Sequence, residues 1–207
     1  FFGKDTIFIE AKKKIDTKSF GASIPDGFLF DFSDKENPEF YLVEVELIKH
    51  DFFKHIFPQI TKFFAFFKNS INQAEFVEKI FAIINNSPEL RKEFKKYLGE
   101  KEIYKSIKDT IDNSQRILLI LDGDKKELPE ITDTYTDTWG KIVRTMTLKK
   151  YVSQNEFIYC LEPEFEGLEI PIEPQIDEED KEEDTAFTPF TEEYHLEGLN
   201  PEIKDIY

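Results

Sequence analysis

Residues 25–48 read Pro25-Asp26-Gly27-Phe28-Leu29-Phe30-Asp31-Phe32, then Ser33-Asp34-Lys35-Glu36-Asn37-Pro38, then Glu39-Phe40-Tyr41-Leu42-Val43-Glu44-Val45-Glu46-Leu47-Ile48. Two apolar, aromatic-rich runs flank a cluster of turn residues, which predicts a hairpin whose second strand covers Phe40 to Ile48. Residues two apart share a face of a strand, so Glu44 and Glu46 project to the same side. They interrupt a strand that otherwise favours burial on both faces. Two carboxylates there repel each other and are costly to desolvate, so either that face meets solvent or a cation offsets the cost. Asp26 opens the preceding strand, within reach of the middle of its partner. Three carboxylates converging at a sheet edge suit a hard divalent cation, which takes oxygen ligands.

Outward from this hairpin, residues 6–15 are strand-like and residues 51–69 form an aromatic helix with Phe at 52, 53, 57, 63, 64, 66 and 67. Asp51 is its N-cap, and Pro58 either kinks it or marks the start of its main part. Residues 70–113 are helical in three pieces: Ile71 to Ile84, a second from Ser87-Pro88 to Leu98 stopped by Gly99, and a third to about Ile111. Arg116 to Leu121 is a short all-apolar strand of the buried kind. Lys126 to Trp139 reads as a helix, and Ile142 to Val152 and Phe157 to Leu161 as strands. The order predicts an α/β domain: an antiparallel meander extended by a parallel or mixed portion, with the helical block as an insertion capping one edge.

The chain has 207 residues with net charge −16, but the charge is unevenly placed. Residues 162–207 hold 17 Asp or Glu and two Lys, a net −15, which leaves the first 161 residues at −1. The globular part is near neutral, so a nucleic-acid partner is not excluded although no basic field advertises one. No apolar run approaches the roughly 20 residues that cross a bilayer, and the first 30 residues have no secretory-signal pattern. The single cysteine, Cys160, excludes a disulfide framework and a cysteine metal site; it is expected as a small buried hydrophobe in a cytoplasmic protein. The start at Phe1 and the polar end at Tyr207 read as an excised piece of a longer protein.

Ile24-Pro25-Asp26, followed eighteen residues on by Glu44-Val45-Glu46, resembles the PD-(D/E)xK nuclease superfamily of restriction enzymes, recombination exonucleases and junction resolvases. The superfamily has an αβββαβ core, which the predicted order matches apart from a first helix that would precede Phe1. Gln59-Ile60-Thr61-Lys62-Phe63 looks like the Gln-x-x-x-Tyr element of its RecB-like branch, with Phe for Tyr. The resemblance covers about residues 6–70 and 116–161. It implies a restriction-endonuclease-like mixed sheet flanked by helices. The α/β core is then 1–69 and 115–165, the helical insertion 70–114, and residues 166–207 an acidic linker and the start of a truncated C-terminal domain. Thr191 to Gly198 and Pro201 to Tyr207 look like the opening of a small domain associated with prokaryotic nucleases.

Carried over by position, the resemblance implies that Asp26 and Glu44 bind Mg²⁺ or Mn²⁺ with the carbonyl of Val45, and that Gln59 is an accessory group. The implied reaction is phosphodiester hydrolysis of DNA in prokaryotic defence or repair. The family's usual lysine falls at Glu46, which becomes a second-metal ligand or a water-orienting group. The lysine's role then passes to a second metal or to Lys49 or Lys62; Lys49 serves only if the strand ends near Leu47. The competing reading is a lapsed site on a protein- or nucleic-acid-binding module that meets a protein partner, or a second copy, through the Phe-rich helix and the inserted helices.

The remaining features have plainer readings. His50 and His55 are five apart, so a helix does not align them, and no metal role is expected for them. Lys12-Lys13-Lys14 reads as a solvated loop or edge. The basic residues of the helical block, Arg91, Lys92, Lys95, Lys96, Lys101, Lys105 and Lys108, could form a phosphate-tracking face, but Glu89, Glu93, Glu100 and Glu102 are interleaved with them and favour a solvated face. The Phe stripe of 52–67 reads as core or partner interface, and Trp139 as packing against the last strands. No phosphate-binding Gly loop or Ser/His/Asp set is visible.

Overall fold

The computed structural model describes residues 2–11, 24–153 and 156–165. Its strands are β1 (Thr6–Glu10), β2 (Gly27–Asp31), β3 (Glu39–Glu46), β4 (Arg116–Leu121), β5 (Val143–Ser153) and β6 (Glu156–Glu162). The helices are α1 (Phe57–Phe67), α2 (Ser70–Asn85), α3 (Pro88–Leu98), α4 (Ile103–Asn113) and α5 (Glu127–Thr134), with single π-helical turns at Phe52–Ile56 and Thr136–Gly140. The Lys12 to Lys14 cluster and the acidic linker with its small-domain start, 166–207, lie outside the described residues.

The six strands form one sheet in the order β1-β2-β3-β4-β5-β6. β1, β2 and β3 are an antiparallel meander, β4 and β5 add in parallel, and β6 returns antiparallel. This mixed α/β sheet matches the coarse expectation, including the parallel portion after the helical block. A parallel partner needs a long crossover, and residues 47–115 supply it.

Side-chain alternation divides the core. Ile7, Ile9, Phe28, Phe30, Phe40, Leu42, Ile117 and Leu119 face the helices, where they meet Ile60, Phe63, Phe76, Ile80, Phe94, Ile107 and Ile111 in one cluster. Leu29, Tyr41, Val43, Leu118, Ile120 and Met146 face the other way and pack with Phe165. The block 70–113 was expected to cap an edge; its apolar stripes instead cover a face, with Phe76 against Phe28 (4.9 Å) and Phe94 against Phe30 (5.2 Å). The reason is that β2 and β4 are apolar on both faces, and without α2 to α4 one of those faces would meet water.

The cap signals behave as their chemistry requires. The Asp51 carboxylate accepts from Lys54 N, the Ser87 hydroxyl accepts from Leu90 N ahead of Pro88, and Gly99 ends α3 at φ +58°. Pro58 lies in the first turn of α1, so it marks the start of the regular helix rather than a kink within it. Trp139, expected against the last strands, lies among Phe52, Phe57 and Phe64, because the π turn that follows α5 brings it over the aromatic helix. Cys160 is half-buried rather than buried, since β6 is the outermost strand. No helix among the described residues is long and apolar enough to cross a membrane.

At the start of β3 and β4, Arg116 is bonded to Glu39 (2.9 Å), and the Tyr41 hydroxyl also donates to Glu39. Burial, and then that bond to a carboxylate, push the Tyr41 phenol far above its ordinary range.

Phe76 touches Phe28, Phe40 and Phe66 at full burial. Phe76→Ala should therefore cost about 3–5 kcal/mol in urea unfolding. A loss below about 1 kcal/mol would show that the helical block does not share the sheet's core.

Candidate functional site

The carboxylates picked out in the sequence lie at the C-terminal end of β3, beside the C-terminal end of its parallel neighbour β4, where Glu46 is opposite Leu121. Crevices beyond the carboxyl ends of parallel strands are the usual ligand positions of open α/β sheets. β3 presents Phe40, Leu42, Glu44 and Glu46 to the helix-covered side, so both glutamates share one face as alternation predicts. Both are buried, at 2% and 5% exposure.

Three different segments meet the three acids. Asp26 N donates to Val43 O (2.9 Å), which extends the β2–β3 ladder one residue beyond β2. The Asp26 carboxylate then accepts from Val45 N at 2.8 Å. That places it at the peptide joining Glu44 to Val45, where it satisfies an amide the ladder no longer reaches. Val45 itself is 48% exposed. Glu44 accepts a hydrogen bond from the side-chain amide of Gln59, in the first turn of α1. Gln59 and Glu44, fifteen residues apart, are thus in direct contact.

Glu46 has different company. Its Oε2 lies 2.5 Å from His50 Nδ1 and its Oε1 lies 3.1 Å from His55 Nε2. The imidazole rings are 4.8 Å apart at 62°. Among the described residues, the group of three or more His, Cys, Asp or Glu whose ligand atoms converge is Glu46, His50 and His55, within 4.8 Å of one another. Asp26, Glu44 and Glu46 do not form such a group. The correction has a simple cause: Glu46 is two residues further along the strand than Glu44, and the chain turns back immediately after it. His50 sits in that turn and His55 in the π turn Phe52–Ile56. Spacings of four and five residues meet because a turn and a π-helical turn, rather than one α-helix, carry them. An expected helical period hid the pair; the available signal was the polar string Lys49-His50-Asp51, which begins after only Leu47 and Ile48 beyond Glu-x-Glu.

The strand ends at Glu46, two residues earlier than expected. Ile48 N donates to Asp122 Oδ1 (2.5 Å), and Lys125 Nζ donates to the carbonyls of Ile48 (2.7 Å) and His50 (2.6 Å). Asp122 and Lys125 follow β4, so the loop after one parallel strand fastens the loop after the other. Gly123 permits the approach, since a Cβ there would stand 3.0 Å from Ile48 Cδ1. Lys49 is exposed in the fastened turn, and Lys62 is exposed on α1. The lysine that structure brings to this turn is Lys125, which the sequence did not single out.

By donor type, Asp26, Glu44 and the Val45 main chain offer hard oxygen, which fits Mg²⁺ or Mn²⁺, whereas Glu46 with two imidazoles offers a mixed oxygen and nitrogen set. No family model, curated protein or solved structure matches this chain.

Lys125→Ala removes two charge-assisted bonds at a half-buried position and should lower stability by about 1 kcal/mol. It should also raise amide exchange at residues 48–50 well above that of β3. Unchanged exchange there would mean that Asp122 alone holds the turn.

Proposed function

We propose that the chain is a metal-dependent phosphodiesterase acting on DNA, of the PD-(D/E)xK nuclease type. Asp26, Glu44 and the main-chain carbonyl of Val45 hold Mg²⁺ or Mn²⁺, and Gln59 fixes the Glu44 carboxylate. The observation that carries this reading is the convergence on one peptide of strand β3: Asp26 binds the amide between Glu44 and Val45 while Gln59 from α1 binds Glu44. A βββαβ arrangement with β4 parallel to β3 supports it. The bound ion supplies a water nucleophile at neutral pH and offsets charge on the phosphoryl oxygens. Asp26 and Glu44 would hold the ion, and the phosphodiester P–O bond would break as the water oxygen bonds to phosphorus, the leaving oxygen taking up a proton. Gln59 donates to the Glu44 carboxylate and so positions it.

The second reading is a lapsed site on a binding module, and the observation favouring it is Glu46. It stands where the superfamily carries lysine and is occupied by two histidines.

Cleavage of plasmid and of labelled oligonucleotides with Mg²⁺ and with Mn²⁺ separates the two. Glu44→Ala should abolish cleavage, a fall of at least about 1000-fold, comparable to removing an electrostatic stabiliser of the transition state. Gln59→Ala should lower kcat by about 10-fold with KM little changed, because the lost bond positions a ligand and does not touch substrate. Wild-type protein that cuts no DNA form with either ion, or cutting that survives Glu44→Ala, removes this assignment.

A further inference from the structure

We infer that Glu46, His50 and His55 form a binding site for one divalent cation of the zinc class, distinct from the position between Asp26 and Glu44. The three donor atoms, a Glu46 carboxylate oxygen, His50 Nδ1 and His55 Nε2, lie within 4.8 Å of one another. Zn²⁺ takes nitrogen and carboxylate ligands at about 2.0–2.2 Å, which puts neighbouring ligand atoms about 3–3.5 Å apart. The carboxylate-to-imidazole separations of 2.5 and 3.1 Å bracket the lower end of that range. Side-chain shifts of about 1 Å open the group around an ion.

Three features make this a built site rather than a chance cluster. Glu46 is anchored at the end of a central strand and nearly inaccessible, while the side chains of His50 and His55 are 37% and 51% exposed. One wall is therefore rigid, and the open side leaves room for an ion to enter and for water to complete its shell. The backbone of the turn bearing His50 is held by Asp122 and Lys125. The backbone bearing His55 is held by the Asp51 cap and by His55 N donating to Asp51 O (3.0 Å). Finally, a buried carboxylate is costly unless its oxygens are engaged, and here the engaging groups on both oxygens are imidazole nitrogens.

The donor set fixes the class of cation. Imidazole suits Zn²⁺, Fe²⁺, Co²⁺ and Ni²⁺, whereas Mg²⁺ selects carboxylate, carbonyl and water. Three protein ligands with open positions is the pattern of a site that keeps water or substrate on the metal. Glu46 lies about 7 Å along β3 from Glu44, by strand rise. On the phosphodiesterase reading the cation puts positive charge where the superfamily has lysine, but the metal site itself does not rest on that reading.

The test uses the full chain stripped with chelator and titrated calorimetrically with Zn²⁺, and with Co²⁺ followed by visible absorption. Wild type should bind one ion per chain and give Co²⁺ bands showing nitrogen ligation. His50→Ala and His55→Ala should each weaken Zn²⁺ binding more than about 100-fold, beyond the effect of outer-shell changes. Glu44→Gln should leave it within about threefold, and excess Mg²⁺ should not compete. Both histidines are partly exposed, so unchanged circular dichroism and melting of the metal-free variants will show that they fold. Wild-type binding no tighter than that of the His variants, or loss of binding with Glu44→Gln, overturns the inference and leaves a hydrogen-bonded clamp. Zn²⁺ bound as described without any DNA cleavage upholds this site and removes the phosphodiesterase. Mg²⁺-dependent cleavage without Zn²⁺ binding does the reverse.

Discussion

Burying two like charges two residues apart, on the helix-covered side of a central strand, constrains everything around the end of β3. Taking a carboxylate out of water costs several kcal/mol even after relaxation. Glu44 and Glu46 both sit at 5% exposure or less. Gln59, His50 and His55, which engage them, all lie in the chain that leaves β3 and doubles back over it. That return has to pass at a fixed height above the strand. The early end of β3, the fastened turn at 47–50 and the π-helical turn before α1 together set that height.

The parallel pairing of β3 with β4 is the second condition. It aligns the carboxyl ends of two strands, so the loop after β4 can reach the loop after β3. Asp122 and Lys125 make that contact through main-chain groups of Ile48 and His50. A long crossover is needed to achieve the pairing, and α1 to α4 provide it while burying the face of Phe28, Phe30, Phe40 and Leu42. The helical block thus serves the site indirectly, by making a parallel β4 possible.

At the amino ends of the same strands the polar groups are arranged differently. Glu39 lies between the Arg116 guanidinium and the Tyr41 hydroxyl, a paired and self-contained set. At the carboxyl ends, the partners of Glu44 and Glu46 among the described residues include the Gln59 side-chain amide and the imidazoles of His50 and His55.

The sequence by itself determined the elements and one relationship between them. Alternating apolar runs marked the strands around Phe28 and Val43, Ser87-Pro88 and Gly99 bounded a helix, and the two-residue period put Glu44 and Glu46 on one face. These are local consequences of backbone geometry, and short range suffices to read them. Tertiary structure alone decided that α2 to α4 cover a face and not an edge, that Trp139 joins the aromatic helix, and that Glu46 belongs with His50 and His55 while Asp26 binds the Val45 amide. Each depends on where the chain goes after β3, and that path is set by Asp122 and Lys125, more than seventy residues downstream. No spacing along the sequence encodes such a contact, because it exists only once β4 has docked in parallel.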